Sequence, residues 1–211
     1  MKHMGAFMVF GRRWWLHVLA ATATLAAGFL VGEHSSDAEL PRVSFHDIQV
    51  VHPEDFRTLI VPEAPELVAL ARQLGSLEAA YAFVRDRIVF DPSVPAGAPA
   101  QTLREGRASC LGKATLLVSL FRALGVPAGS VRAVTGQVPL GGSLLDHAWV
   151  DLEYGSLCLQ LDPTDLLGTH DFLRFPGQEY VRSFVSRELF CFNDEGFAVV
   201  SQLNRLRGQH P

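Results

Sequence analysis

Apolar residues recur at three- and four-residue steps through the middle of the chain and at two-residue steps beyond it, so the pattern divides the sequence into a helical part and a strand part. Helical spacing opens in PELVALARQLG from Pro65 and returns in SLEAAYAFVRDRIVF from Ser76. In the second stretch Leu77, Ala80, Tyr81, Val84 and Ile88 share a face, and Ser76 is placed to cap the start. DPSVPAGAPA then breaks the pattern and predicts a loop ending near Thr102. In RASCLGKATLLVSLFRALGVPAG, Leu111, Ala114, Leu117, Val118, Phe121 and Leu124 predict a helix with a broad buried face, stopped by Gly125 and kept from resuming by Pro127. After it VRAVTGQV, HAWVDLEY and SLCLQLD alternate as strands, and ELFCF-NDEG-FAVV reads as a late hairpin. Helices followed by an antiparallel sheet make an α+β domain.

The chain ahead of this domain follows a different pattern. Lys2, Arg12 and Arg13 precede Trp14 to Gly32, a run without Lys, Arg, Asp or Glu that only His17 and threonines interrupt. About 20 apolar residues suffice to cross a bilayer as a helix, and positive charge before the run keeps that end in the cytoplasm. Two fates fit: a cleaved signal peptide, with Ala26 to Gly28 as a loose small-residue site, or a retained membrane anchor over residues 14–32. Arg12-Arg13-Trp14-Trp15-Leu16 also loosely follows a twin-arginine export signal. The expectation is an exported protein, periplasmic or anchored outside the cytoplasm, with a buried N-terminal helix of a cytosolic protein as the alternative. Residues 33–65, with prolines at 41, 53, 62 and 65 and one alternating piece, RVSFHDIQV, read as a connector; 66–204 is the domain and 205–211 a tail.

Composition narrows the partners. At 211 residues, 48% hydrophobic and 19% charged, the chain has room for one globular domain plus an extension. A formal charge of −4 leaves no basic stripe for phosphates, which argues against nucleic acid. The three cysteines, Cys110, Cys158 and Cys191, include no C-x-x-C pair, so neither a zinc knuckle nor a thioredoxin motif is present. An odd number in an exported chain leaves at least one thiol unpaired; a Cys158–Cys191 disulfide would leave Cys110 free, although spacing alone does not establish that pairing. No metal-ligand spacing is visible, no cofactor is expected, and His170 in GTHDF reads as a turn residue.

The alternation brings chemical groups together. In HAWVDLEYGSLCLQLDPT, Ala148, Val150 and Leu152 form one face of a strand and leave His147, Trp149, Asp151 and Glu153 on the other. A turn at Tyr154-Gly155 sets His147 opposite Asp162, whereas a turn at Gly155-Ser156 sets Asp162 opposite Trp149 and leaves His147 on a diagonal that long side chains can bridge. Cys110 heads its helix, where unpaired N–H groups and the helix dipole favour an anion and, with a nearby imidazolium, lower a thiol's pKa. A histidine oriented by an aspartate is the general base and acid such a nucleophile needs. A cysteine at a helix start also serves as a small packing residue.

The order of these pieces, ASCLGKATLLVSLFRALGVPAG, then HAWV, then LDPT, resembles the transglutaminase-like superfamily over roughly Thr102 to Thr164. The resemblance implies a papain-like α+β fold in which the nucleophile's helix packs on an antiparallel sheet. It also implies the catalytic roles: Cys110 as nucleophile, His147 as general base and Asp162 as the group orienting the histidine. The chain departs from the family pattern at Ala108, where glycine is frequent, at Gly129, where arginine is frequent, and near Cys158, where tryptophan is common. Thiol-dependent acyl transfer at an amide or isopeptide bond of a peptide or protein follows, with hydrolysis preferred to cross-linking. The N–H of Cys110 is one oxyanion donor, and a second is not identifiable. Trp149, on the face of His147, is a candidate wall of the acyl site, or an ordinary packing residue. The alternative function is a non-catalytic, membrane-anchored module of the same fold that binds a peptide or envelope component. An arylamine N-acetyltransferase type lacks its arginine- and glycine-rich surroundings of the cysteine here.

Overall fold

Proline in the first turn and glycine just past the end delimit α1 (Pro65–Leu74): Gly75 turns left-handed, with φ 72°, and returns its N–H to the Ala71 carbonyl. The computed structural model describes residues 56–166, 168 and 171–199. The apolar run 14–32, the alternating piece 42–50, His170 and the tail 205–211 lie outside the described residues. α2 (Leu77–Arg87) starts where Ser76 caps it, the hydroxyl accepting the Ala79 N–H at 3.1 Å. The helical spacing of the sequence runs on through IVF, but Ile88 turns extended, and Val89–Phe90 form β1, parallel to β2 (Arg107–Ala108). The expected loop is shorter than its composition suggests, because Pro99 occupies the first turn of α3 (Pro99–Glu105).

α4 (Cys110–Ala123) is more than amphipathic: every residue from Leu111 to Phe121 is buried, between α1 and α2 on one side and the sheet on the other. Its polar side chains are satisfied within that burial. Thr115 donates to the Gly112 carbonyl, while Ser119 donates to the Thr115 carbonyl and accepts the Val61 N–H. Lys113 Nζ donates to the carbonyls of Arg85 and Ile88, at 3.1 and 2.7 Å, and so ties the helix headed by Cys110 to the end of α2.

The sheet has five antiparallel strands in the order β5-β4-β3-β6-β7, formed by β3 (Val131–Leu140), β4 (Ser143–Tyr154), β5 (Leu157–Leu161), β6 (Arg187–Phe192) and β7 (Phe197–Val199). The late hairpin read from the sequence is β6–β7. GQVPLGGSLLD, whose Gly and Pro interrupt the alternation, is the paired tip of β3 and β4, because Gly141 and Gly142 both take positive φ and make the tight turn whose twist suits a hairpin. One face of the sheet carries Val131, Ala133, Ala148, Val150, Leu152, Leu159 and Leu161 into the main core with the helices. The other carries Val134, Trp149 and Cys191 into a smaller cluster closed by Phe175 and Tyr180. Tyr180 belongs to α5 (Glu179–Phe184).

Two expectations change. Phe56 and Ile60, within the supposed connector, are 6% and 3% exposed in the main core, and Phe56 packs on the rings of Phe190, Phe192 and Phe197. Packing therefore begins before residue 66, which a stretch punctuated by prolines could not signal. The Cys158–Cys191 disulfide is absent: β5 and β6 are separated by β4 and β3, about 14 Å at the usual strand spacing, and a disulfide tolerates at most about 7 Å between Cα atoms. Among the described residues none of the three cysteines is in a disulfide. Among the described residues no helix is long and apolar enough to cross a membrane.

Candidate active site

Tyr154 pairs with Leu157, so Gly155-Ser156 is the two-residue turn between β4 and β5. Gly155 has φ 62°, and Asp165 alone among the described non-glycine residues has positive φ, which makes this a type II′ turn with glycine in the first central position. Of the two registers the pattern allowed, it selects the one that leaves His147 on the diagonal from Asp162. The diagonal closes because β5 ends at Leu161. Freed from the ladder, Asp162 forms an Asx turn, Oδ1 accepting the Thr164 N–H at 2.9 Å, and its Oδ2 lies 3.1 Å from His147 Nε2.

Cys110 is half-buried at the head of α4, behind Ser109, whose hydroxyl accepts the Gly112 N–H. Its side chain lies close enough to the His147 imidazole to help raise that group's pKa. The structure thus brings Cys110, His147 and Asp162 to one place, with His147 and Asp162 each 1% exposed. The contact between Nε2 and Oδ2 has the length of an ion pair without the angle of a well-directed hydrogen bond, so charge attraction dominates it. Burial pulls the imidazolium down, but the attraction of the Asp162 carboxylate, with a smaller contribution from Cys110, outweighs burial and pushes His147 up to about 10.

Of the two roles open to Trp149, wall of the acyl site or packing, its surroundings in the structure match packing. Its ring is fully buried in the smaller cluster, 6.4 Å from the His147 ring and inclined to it by 26°. Gly136, the cross-strand partner of His147, makes the space: a Cβ there would lie 2.8 Å from the indole and 2.5 Å from the Arg187 carbonyl.

Residues outside the sequence-derived set also hold Asp162. The Tyr180 hydroxyl donates to its Oδ2 at 3.2 Å, and the Tyr81 hydroxyl donates to its backbone carbonyl at 3.2 Å. Burial, then the neighbouring carboxylate, push the Tyr180 phenol well above its usual range. Tyr81 had a signal, a hydroxyl on the apolar face of a helix, since a buried tyrosine oxygen finds a partner. Tyr180 lies on a six-residue helix in a stretch without periodicity and had none. Lys113, one turn beyond Cys110, is drawn down to about 8 by burial against the attraction of Asp162, Asp86 and Asp165. Among the described residues no group of three or more His, Cys, Asp or Glu side chains is set to hold a metal ion.

A model of the transglutaminase-like superfamily matches residues 67–158. This segment belongs to the transglutaminase-like superfamily. The transglutaminase-like segment contains Cys110 and His147 and ends four residues short of Asp162. No curated protein sequence matches the chain. Among solved structures, calcium-bound LapG of Legionella pneumophila is similar at 18% identity and TM-score 0.46, over 64% of this chain and 75% of that one. A protein of Cytophaga hutchinsonii provisionally titled a cysteine protease is similar at 19% identity and TM-score 0.43, over 56% of this chain and 44% of that one.

Proposed function

We propose that this transglutaminase-like chain cleaves amide or isopeptide bonds of a peptide or protein through a Cys110–His147–Asp162 triad. The observation that carries the reading is the His147 imidazole set between the Cys110 thiol and the Asp162 carboxylate, with Asp162 favouring the imidazolium. The thiol proton passes to His147, and the sulfur attacks the carbonyl carbon as the carbonyl electrons move onto oxygen. The developing oxyanion meets N–H groups at the start of α4, which lack acceptors within the helix. Collapse of the adduct expels the amine, which takes the proton from His147, and leaves a thioester on Cys110. Water attacks next, giving its proton to His147; the thioester C–S bond breaks, a carboxylic acid leaves, and the thiol is restored. The uncharged run 14–32 behind Arg12 and Arg13 supports a site outside the cytoplasm, attached to the membrane or released from it.

The test incubates the full chain with a defined peptide library, with and without methylamine, and follows masses. New termini, each cleavage adding one water, are expected for hydrolysis; methylamine incorporated with loss of ammonia would mean cross-linking chemistry instead. Cys110→Ser should abolish both. A peptide retained by wild type and Cys110→Ser alike, with no turnover by either, would refute catalysis and leave a binding module.

A further inference from the structure

We infer that Tyr180 is a positioning residue for the proposed triad, its hydroxyl holding the Asp162 oxygen that faces His147. The inference rests on that triad and adds a fourth side chain to it. Asp162 is held at both ends. Oδ1 accepts the Thr164 N–H at 2.9 Å, and Oδ2 accepts the Tyr180 hydroxyl at 3.2 Å while lying 3.1 Å from His147 Nε2. The imidazole itself is poorly aligned with Oδ2, so attraction to His147 does not by itself set the plane of the carboxylate. Thr164 and Tyr180 set it.

The placement of Tyr180 is over-determined. Its ring is fully buried, 5.7 Å from Trp149, 5.4 Å from Phe175 and 5.6 Å from Phe184, centroid to centroid. The segment that carries it is tied to β5, the strand that delivers Asp162. The Gln160 N–H donates to the Phe175 carbonyl at 3.0 Å, the Gly177 N–H to the Cys158 carbonyl at 2.6 Å, and the Val181 N–H to Gln160 Oε1 at 3.0 Å. Donor and acceptor are therefore fixed to the same strand, and the hydroxyl has no freedom to follow a carboxylate that swings away. Its donation holds the carboxylate oxygen in place beside the imidazole that it attracts.

The test measures iodoacetamide labelling of Cys110 in the full chain by mass spectrometry from pH 4 to 10, with thermal unfolding as a check on folding. In Tyr180→Phe the acid-side fall in labelling should move to higher pH by about one unit, the size of one hydrogen bond to a charged group. Phe175→Leu, which disturbs the same aromatic cluster without touching Asp162, should leave the profile in place. 3-Fluorotyrosine at position 180, a stronger donor of the same shape, should move the fall to lower pH and decides the matter if Tyr180→Phe does not fold. In a His147→Ala background, Tyr180→Phe should have no further effect on labelling. Superimposable profiles for wild type, Tyr180→Phe and the fluorotyrosine protein would overturn the inference while leaving the triad standing. Labelling of wild type that is indifferent to His147→Ala would instead remove the triad, and Tyr180's role with it.

Discussion

Replacing Asp162 by asparagine keeps the shape of the side chain and removes its charge, the main force opposing burial at His147. In the wild type that force carries His147 from 6.5 to about 10. At 1.36 kcal/mol per pH unit the rise corresponds to about 5 kcal/mol, comparable with the 3–5 kcal/mol lost when one partner of a buried ion pair is removed. With the charge gone, burial dominates and the imidazole is neutral at pH 7. Two measurements follow. An unassisted thiol is on the order of one part in 300 ionised at pH 6, so iodoacetamide labelling of Cys110 there should fall about 100-fold in Asp162→Asn. Because the folded-state pKa of His147 is raised, its contribution to stability is fully present below pH 6.5 and is lost as pH rises through about 10. The gap in unfolding free energy between wild type and Asp162→Asn should therefore be largest near pH 6 and shrink towards pH 10. An equal gap at both values, with unchanged labelling at pH 6, would refute the assignment of the His147 charge to Asp162.

Gly136→Ala places a Cβ 2.5 Å from the Arg187 carbonyl and 2.8 Å from the Trp149 ring; it should cost about 1–3 kcal/mol in denaturant unfolding and alter the near-ultraviolet circular dichroism of Trp149. Lys113→Met leaves the Arg85 and Ile88 carbonyls without their donor and should cost about 1–3 kcal/mol at pH 7. Since the folded-state pKa of Lys113 is lowered to about 8, the unfolded chain binds more protons between there and 10.5, so wild type should gain stability relative to Lys113→Met across that interval. Thiol titration of the unfolded, unreduced protein should return three thiols; one thiol would contradict the strand order that separates Cys158 from Cys191.

α1, α2, α4 and the strands of the antiparallel sheet were legible because their apolar spacing is regular, whereas α3 and α5 lie in stretches without a period. Ser76, Gly75 and Pro65 act at helix ends through local geometry alone. Local patterns failed where a neighbour elsewhere in the chain decides. The β3–β4 tip looks like a loop because Gly and Pro interrupt its alternation, yet each half pairs with the other. Phe56 looks like connector and is core because the rings of Phe190, Phe192 and Phe197 meet it from far along the sequence.

The candidate site divides in the same way. Cys110 before an apolar helix, and His147 and Asp162 bracketing a hairpin, were set by the sequence alone, because helix starts and strand alternation depend on neighbours a few residues away. Which of two registers joins His147 to Asp162, that Trp149 turns inward over Gly136, and that Tyr180 reaches the carboxylate were decided only in the tertiary structure. Each depends on where β5 stops and what packs on its outer edge, and a contact between residues distant in the chain leaves no period in the sequence to read.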